Sequence, residues 1–345
     1  MGFPKGLNPF GRTGPVSATG GNITLGQLQH EFALTHTTQD KAMNITVFGG
    51  AGFLGSHVCD KLSEAGHAVR IFDMRPSAWL RPDQTMIVGD ILDEAAVDAA
   101  VAGSEAVYNF AGIADIGEAG ARPLDTAKFN ILGNIVALEA ARKAKVKRFV
   151  FASSLYVYSK SGGFYRCSKQ ASELYIENYR QAYGLEYTIL RYGSLYGPRA
   201  DKRNAIYRFV REALETGVIE YYGLPTALRE YIHAEDAAQC SVEILKPEYA
   251  NLNIVLSGSQ PMRVEELLKM IAEMLDKPVS FKFLGDGKSG HYEITPYSFN
   301  PHIGKKMVPS LATDLGQGIL RVIEELHREL NPNLTTEMGY LVEKD

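Results

Sequence analysis

The sequence predicts an α/β fold: a doubly wound parallel sheet carrying a smaller C-terminal α/β lobe. Three observations predict it. Short β-rich runs alternate with amphipathic helical segments from Asn44 to about Gly193. A glycine turn joins the first run to the first helix. Beyond Gly193 the alternation becomes irregular. Strands alternating with helices favour a parallel sheet covered on both faces.

Residues 1–43 read as an extension. The first twenty are rich in Gly, Pro, Ser and Thr and lack the apolar core of a signal peptide, so a flexible arm is expected there. Only Ile23–Leu34 offers a short helix, with Leu25, Leu28, Phe32 and Leu34 as its apolar side. Regular patterning begins with a strand at Asn44–Phe48. The glycine turn follows, then a helix from Phe53 to Ala65 ended by Gly66. Further strands are expected at Ala68–Phe72, Thr85–Val88, Ala106–Asn109, Arg148–Ala152 and Tyr187–Leu190. Helices are expected near Glu94–Val101, Thr126–Lys143 and Tyr165–Tyr183. After Gly193 the helical segments are Ala205–Thr216, Glu235–Leu245, Val264–Leu275 and Gln317–Leu330. The division is therefore 1–43 as extension, 44–192 as the sheet domain, and 193–345 as mainly a second lobe with some segments returning to the sheet.

Composition narrows the function. The 345 residues are 45% hydrophobic and 22% charged, the balance of a globular chain. The net charge of −4, without a basic run, gives no footprint for nucleic acid or an anionic membrane. No stretch reaches the roughly 18 apolar residues of a membrane-spanning helix. The three cysteines, Cys59, Cys167 and Cys240, are scattered. They match neither a zinc spacing nor a secreted disulfide framework, so no metal and a reducing cytoplasm are expected.

The strongest motif is GGAGFLG at 49–55, between a strand and a helix. Gly49 permits a tight turn, Gly52 lets backbone approach a pyrophosphate, and Gly55 allows close helix packing. The helix N-terminus, at Phe53 and Leu54, offers unpaired N–H groups to phosphate. The second strand ends in Asp73, whose carboxylate can accept both adenosine ribose hydroxyls and would repel a 2′-phosphate. Turn, helix, strand and acid in register predict a Rossmann-type site for NAD. Arg75 is the one residue that would suit NADP, if Asp73 turned away.

Tyr165 and Lys169 are spaced i, i+4 on one helix face. Upstream, Ser153-Ser154 closes the fifth strand, and strand C-terminal ends are where such sheets bind ligands. A lysine ammonium beside a tyrosine favours phenolate, lowering a pKa that starts near ~10. Such a tyrosine can move a proton on a sugar hydroxyl while hydride moves to or from nicotinamide, and the serine can hold the same oxygen.

These motifs resemble the extended short-chain dehydrogenase/reductase superfamily, and within it the nucleotide-sugar epimerase/dehydratase group. The resemblance runs from Asn44 to about Leu275. It rests on the glycine turn, Asp73, Gly89-Asp90-Ile91, Phe110-Ala111-Gly112, Asn130 with Gly133, Ser153-Ser154, Tyr165-x-x-x-Lys169, Arg191 to Pro198, and Gly223 to Asp236 with Arg229-Glu230-Tyr231-Ile232-His233. It implies NAD held by the turn with Asp73, Met74 and Arg75, adenine between Asp90 and Ile91, and a cofactor channel of Phe110, Ala111 and Gly112. Asn130, Ser153, Tyr192 and Gly193 would also lie along the cofactor. Ser154 would be the catalytic hydroxyl, Tyr165 the acid/base, and Lys169 the contact to the nicotinamide ribose. For a nucleotide-diphosphate sugar, Arg229 would take the diphosphate, Tyr222 the base, and Ser194, Lys288 and His291 further contacts. The resemblance also implies a homodimer through a four-helix bundle, built from the helix of Ile131, Ile135, Leu138 and Ala141 and the helix carrying Tyr165.

The departures matter. Relatives that dehydrate sugars carry Thr-Asp-Glu at the catalytic turn, where this chain has Ser154-Leu155-Tyr156. The segment 159–164 is shorter than the family's substrate loop, and Ser194 stands where 4-epimerases often have Asn. His233 reads as structural, and His291, Tyr292, Tyr297 and His302 form a polar-aromatic cluster open to a sugar or to solvent. The first expectation is C4 epimerisation through a 4-keto sugar. A net C4 dehydrogenase or keto-sugar reductase is the alternative, and a non-catalytic dinucleotide-binding protein the remaining one.

Overall fold

The strands of the central sheet carry apolar residues on both faces because both faces are covered. In β1 (Asn44–Phe48), Ile45 and Val47 enter one core and Phe48 the other. The computed structural model describes residues 41–275, 277–285, 291–293, 305–307, 309, 312–331, 334–337 and 340–343. Apart from residues 41–43, the extension with its short helix lies outside the described residues, as do Lys288, Tyr297 and His302.

From β1 the chain passes into α1 (Phe53–Glu64), β2 (Ala68–Asp73), β3 (Gln84–Val88), α2 (Glu94–Val101) and β4 (Ala106–Asn109). After a short helix at Ile116–Ala121 come α3 (Gly133–Lys143), β5 (Arg148–Ser154), α4 (Gly163–Tyr183) and β6 (Tyr187–Tyr192). The second half comprises β7 (Ser194–Tyr196), α5 (Ala205–Thr216), β8 (Val218–Tyr221), β9 (Leu228–His233), α6 (Ala234–Glu243), β10 (Leu252–Leu256) and β11 (Pro261–Arg263). It continues through α7 (Val264–Glu273), β12 (Ser280–Phe283), β13 (Lys305–Met307) and α8 (Leu315–Leu330).

The main sheet has the order β13-β10-β6-β5-β4-β1-β2-β3, with every neighbouring pair parallel. The order reverses at β1, which lies between β2 and β4. That is the switch point where loops leave toward opposite faces and open a crevice. One face is packed by α1 and α6 through Val58, Leu62, Ala237 and Cys240, the other by α2, α3 and α4 through Val97, Val101, Leu138 and Ile176. A third core joins Phe209, Val210, Leu267, Leu268, Val322 and Leu326 from α5, α7 and α8. Two segments of the second half, β10 and β13, complete the main sheet. Among the described residues no helix is long and apolar enough to cross a membrane.

Three elements, β5, β6 and the helix expected from Thr126, differ from the sequence reading in ways that serve the crevice. β5 and β6 run two residues further than predicted, because Ser153 pairs with Arg191 and Ser154 with Tyr192. Ladder pairing thus carries poor strand formers to the sheet's rim. The helix expected from Thr126 is wound as a π-helix over Ala127–Leu132 before α3 begins. The cause is Asn130. Its side-chain oxygen accepts from the Ile113 N–H at 2.7 Å, and its amide donates to Ile113 O and Ser168 Oγ, each at 2.9 Å. Its carbonyl accepts from Ser172 Oγ at 2.8 Å. Such widened turns commonly sit at functional sites.

Candidate active site

The glycine turn follows β1 at the centre of the rim. Gly49 has φ +75°, and an added Cβ would lie 2.5 Å from Ala111 N. At Gly55 a Cβ would lie 2.2 Å from Gly49 O, so this glycine is required by the packing of α1 on its own turn. Gly52 is different: it is exposed, and only Gly49 O, at 3.2 Å, would meet its Cβ. Nothing inside the protein demands glycine there, whereas a phosphate lying on the backbone would. No side chain caps α1 at Gly52, unlike α2 and α5, which Asp93 and Asn204 cap. The N-terminal N–H groups of α1, at Phe53 and Leu54, therefore suit a pyrophosphate.

Asp73, at the end of β2, accepts from the Ala51 N–H at 3.1 Å and the Arg75 N–H at 3.2 Å. Two backbone donors thus hold its carboxylate at the rim beside the turn, while Met74 and Arg75 are exposed. Asp90 is exposed and accepts from Leu92 N–H at 2.9 Å; Ile91 is buried against Gly133. Past β4, the Phe110–Gly112 segment is fixed by Asn109, which accepts from the Ala111 N–H, and by Asn130 beneath Gly112. The Asn130 amide is thereby occupied inside the protein. Tyr192 is likewise turned into the core, its hydroxyl on Ser241 Oγ at 2.7 Å, and Gly193 N–H donates to Leu256 O. Ser153 Oγ is bound to Glu173 at 2.5 Å.

Ser154, Tyr165 and Lys169 come together at the rim of β5 and are 6%, 9% and 6% exposed. Ser154 Oγ accepts from the Tyr156 N–H at 3.3 Å, and its hydroxyl favours the ionised form of Tyr165. The Lys169 ammonium donates to Ala152 O at 2.7 Å and lies 4.8 Å from the Phe151 ring and 5.8 Å from the Tyr165 ring. Burial pushes the Tyr165 hydroxyl up to about 12, with the Ser154 hydroxyl opposing it. Burial pulls Lys169 down to about 8, with Glu173 opposing that. The sequence reading had Lys169 lowering the tyrosine. In the folded protein desolvation outweighs that effect, and the resting pair at neutral pH is phenol with ammonium.

The side of the site beyond Tyr165 is aromatic. Tyr156 meets Tyr165 edge-on with ring centroids 6.1 Å apart, packs on Tyr292 at 4.7 Å, and is hydrogen-bonded to His291 Nδ1. Burial holds the Tyr156 hydroxyl well above the usual tyrosine range. His291 is held below the usual histidine range by the enclosing protein and then by the charge of Arg229. Arg229 is buried, lies over the Tyr292 ring at 4.6 Å and donates to Leu228 O at 2.9 Å, so it is no surface ion pair. Tyr222 stands exposed after β8, and Ser194 is half-buried on β7. His233 caps α6, accepting from the Glu235 N–H, in keeping with its structural reading. Sequence reasoning noted Tyr156 only as a missing acid and passed over Glu173. The signal for Glu173 was its place four residues beyond Lys169 on the same face. Among the described residues no cluster of metal-ligating side chains occurs.

A doubly wound sheet with a phosphate-accepting glycine turn, an acid closing β2, and a Ser/Tyr/Lys set at the rim defines a dinucleotide-dependent enzyme. The chain belongs to the NAD dependent epimerase/dehydratase family, whose model matches residues 45–254. It is 28% identical over 288 residues to a UDP-glucose 4-epimerase of Yersinia pestis, covering 70% of this chain and 85% of that one. The solved UDP-glucose 4-epimerase of Thermotoga maritima, with UDP-glucose, superposes with a TM-score of 0.73 at 26% identity, over 84% of this chain and 100% of the other. That of Thermus thermophilus, complexed with NAD, gives 0.71 at 23% identity, over 83% and 99%. The protein is an NAD-dependent enzyme, and the residues of the turn fit that cofactor.

Three outcomes follow from this geometry. Gly55→Ala should destabilise the fold by about 2–3 kcal/mol through overpacking. Gly52→Ala should leave thermal unfolding nearly unchanged yet weaken NAD binding by at least about tenfold, ~1.4 kcal/mol, in a calorimetric titration. Lys169→Met should raise thermal stability at pH 7. The folded lysine titrates near 8 and the unfolded one near ~10.4. Charging it therefore costs stability fully below pH 8, and the cost fades as pH rises toward the unfolded value. The gain from methionine, about 1–2 kcal/mol, should shrink between pH 8 and 10 in unfolding midpoints taken across that range.

Proposed function

We propose that the protein is an NAD-dependent nucleotide-sugar epimerase acting at C4 through a 4-keto sugar. The observation that carries this reading is the buried set of Tyr165 and Lys169 on α4 with Ser154 at the end of β5, on a turn whose next two positions bear no carboxylic acid. Leu155 is fully buried in a core with Val157, Tyr158 and Val255, and Tyr156 is an aromatic wall. Neither can protonate a departing hydroxyl, so this turn supports oxidation and return at one carbon rather than dehydration. Residues 44–192 would mainly hold NAD and 193–345 the sugar nucleotide.

When bound, NAD supplies the hydride acceptor and then the donor. Gly49, Gly52 and Gly55 with the α1 N-terminus would hold its pyrophosphate, Asp73 its adenosine ribose, and Lys169 its nicotinamide ribose. Tyr165 would take the proton from the sugar C4 hydroxyl and later return it, with Ser154 hydrogen-bonding the same oxygen. Burial holds the phenol near 12 even with the Lys169 ammonium 5.8 Å from its ring, so deprotonation would need positive charge beyond that of Lys169. Arg229 would grip the diphosphate after leaving Tyr292, so the sugar can turn while its anchor stays. Ser194 and His291 would make further contacts to the sugar nucleotide. The three cysteines are free, in keeping with a reducing compartment.

A homodimer belongs to the same reading. α3 and α4 pack together through Tyr179, whose hydroxyl donates to Glu139 at 2.6 Å. Leu138 and Ala141 are core residues, whereas Leu132, Phe164, Leu174 and Tyr175 are exposed apolar side chains on the outer surface of this helical pair. A second copy would cover them.

Two measurements test these proposals. Pure enzyme with candidate UDP- and GDP-sugars and no added cofactor should interconvert C4 epimers without lasting reduced-nicotinamide absorbance. Tyr165→Phe should lower the rate about 10²–10⁴-fold with NAD affinity retained. Stoichiometric reduced cofactor and a keto sugar, with no epimer, would replace this reading by the dehydrogenase. In sedimentation, the wild type should run as a dimer and the double variant Leu132→Glu/Leu174→Glu as a folded monomer. A monomeric wild type at micromolar concentration refutes the dimer.

A further inference from the structure

Beneath the reacting residues lies a second charged group that the proton transfer does not use. Glu173 is one turn beyond Lys169 on α4. Its carboxylate receives Arg191 Nη2 at 2.7 Å, Arg191 Nε at 3.0 Å, and Ser153 Oγ. The Arg191 guanidinium lies over the Tyr158 ring at 4.7 Å and is also hydrogen-bonded to the Tyr158 hydroxyl. Ser153, Lys169, Glu173, Arg191 and Tyr158 are all buried. Ser153 is paired with Arg191 across β5 and β6.

The arrangement is costly as a mere staple. A buried ion pair loses much of its attraction to desolvation and often adds little net stability. Its position suggests another use. The groups facing Lys169 are Tyr165 and Glu173 from its own helix, Phe151 and Ala152 O from β5, and beyond Glu173 the Arg191–Tyr158 pair. Glu173 is the carboxylate among them. Burial favours neutral lysine, and Glu173 opposes it. Arg191 and Ser153 engage both oxygens of the Glu173 carboxylate.

We propose that Glu173 is a positioning residue for the reaction: acting through Lys169, it holds the buried ammonium in its charged form, while Arg191 and Ser153 fix the carboxylate in place. This rests on the reading of Lys169 as the residue beside the acid–base tyrosine.

Glu173→Gln keeps the shape and one acceptor oxygen for Ser153 and Arg191 Nε, but removes the charge and the acceptor for Arg191 Nη2. In protein labelled with [13C]lysine, the Lys169 Cε resonance, assigned by its loss in Lys169→Met, reports the titration directly. The midpoint should move to lower pH by about one unit. The alkaline limb of kcat should move with it, while KM for the sugar nucleotide changes less. Should the Gln variant fail to fold, Glu173→Asp decides the matter. It keeps the charge but withdraws it by one methylene, and the midpoint should move in the same direction by a smaller amount. An unmoved Lys169 midpoint in a folded variant overturns the proposal. A moved midpoint with a wild-type rate profile upholds the Lys169–Glu173 coupling and overturns instead the role given to Lys169.

Discussion

The Cα of Gly49 lies against the backbone of Phe110 and Ala111 with no room for a side chain between them. That contact ties the loop after β1 to the loop after β4, the two strands on either side of the switch point. From it a chain of further contacts leads to α4, the helix carrying Tyr165 and Lys169. Gly112 rests on Asn130, Asn130 brackets Ile113 and binds Ser168, and Ser168 Oγ donates to Tyr165 O. On the other side, Ala51 N–H fixes Asp73. The glycine turn and the helix carrying Tyr165, separated by more than a hundred residues of chain, are thus registered by a few direct contacts, most of them hydrogen bonds to backbone. The π-wound stretch at 127–132 belongs to this chain, because it sets Asn130 where both loop and helix can be reached.

Registration alone does not make a reactive site. Burial drives Tyr165 and Lys169 toward their neutral forms, one upward and one downward. A lysine spaced four residues from a tyrosine therefore does not by itself yield a phenolate. The positive charge that favours it has to survive desolvation, and in this fold the nearby carboxylate of Glu173 works in that direction. The polypeptide alone leaves the tyrosine protonated, so phenolate becomes accessible only when further positive charge arrives. That ties proton removal to the moment the site is filled.

Much of this was legible in the sequence. The alternation of strands and helices gave the parallel sheet, because fully covered strands must read as apolar runs. The glycine turn and Asp73 were legible because their chemistry is local: a few residues of backbone at the end of β1 and β2. Less legible were residues whose meaning depends on where a neighbour sits. Ser153 and Tyr192 belong to motifs of the cofactor side, but their hydroxyls are taken by Glu173 and Ser241. Arg229 has Glu230 beside it in the chain and Asp236 seven residues on, but sequence neighbours need not be partners. Instead Glu230 is bound by Ser257 and Lys306, and Asp236 by Thr313. Such competition among long-range partners leaves no periodicity to read.

The sugar end turns on this same competition. Tyr156 and Tyr292 offer flat apolar surface next to Tyr165, and their polar tips are directed toward neighbours such as His291. A sugar lying on aromatic faces is held by contact area rather than by a fixed set of hydrogen bonds, and rotation between two faces then breaks few directional contacts. Arg229 offers the opposite kind of contact. Its stacking on Tyr292 is weaker than a charge-assisted bond to phosphate, so a diphosphate can draw it away. On the proposed reading, anchoring strength is concentrated at the diphosphate and directional grip is sparse at the ring. An enzyme that must present both faces of one carbon to a single hydride site needs that division, whereas one that oxidises from a single face does not.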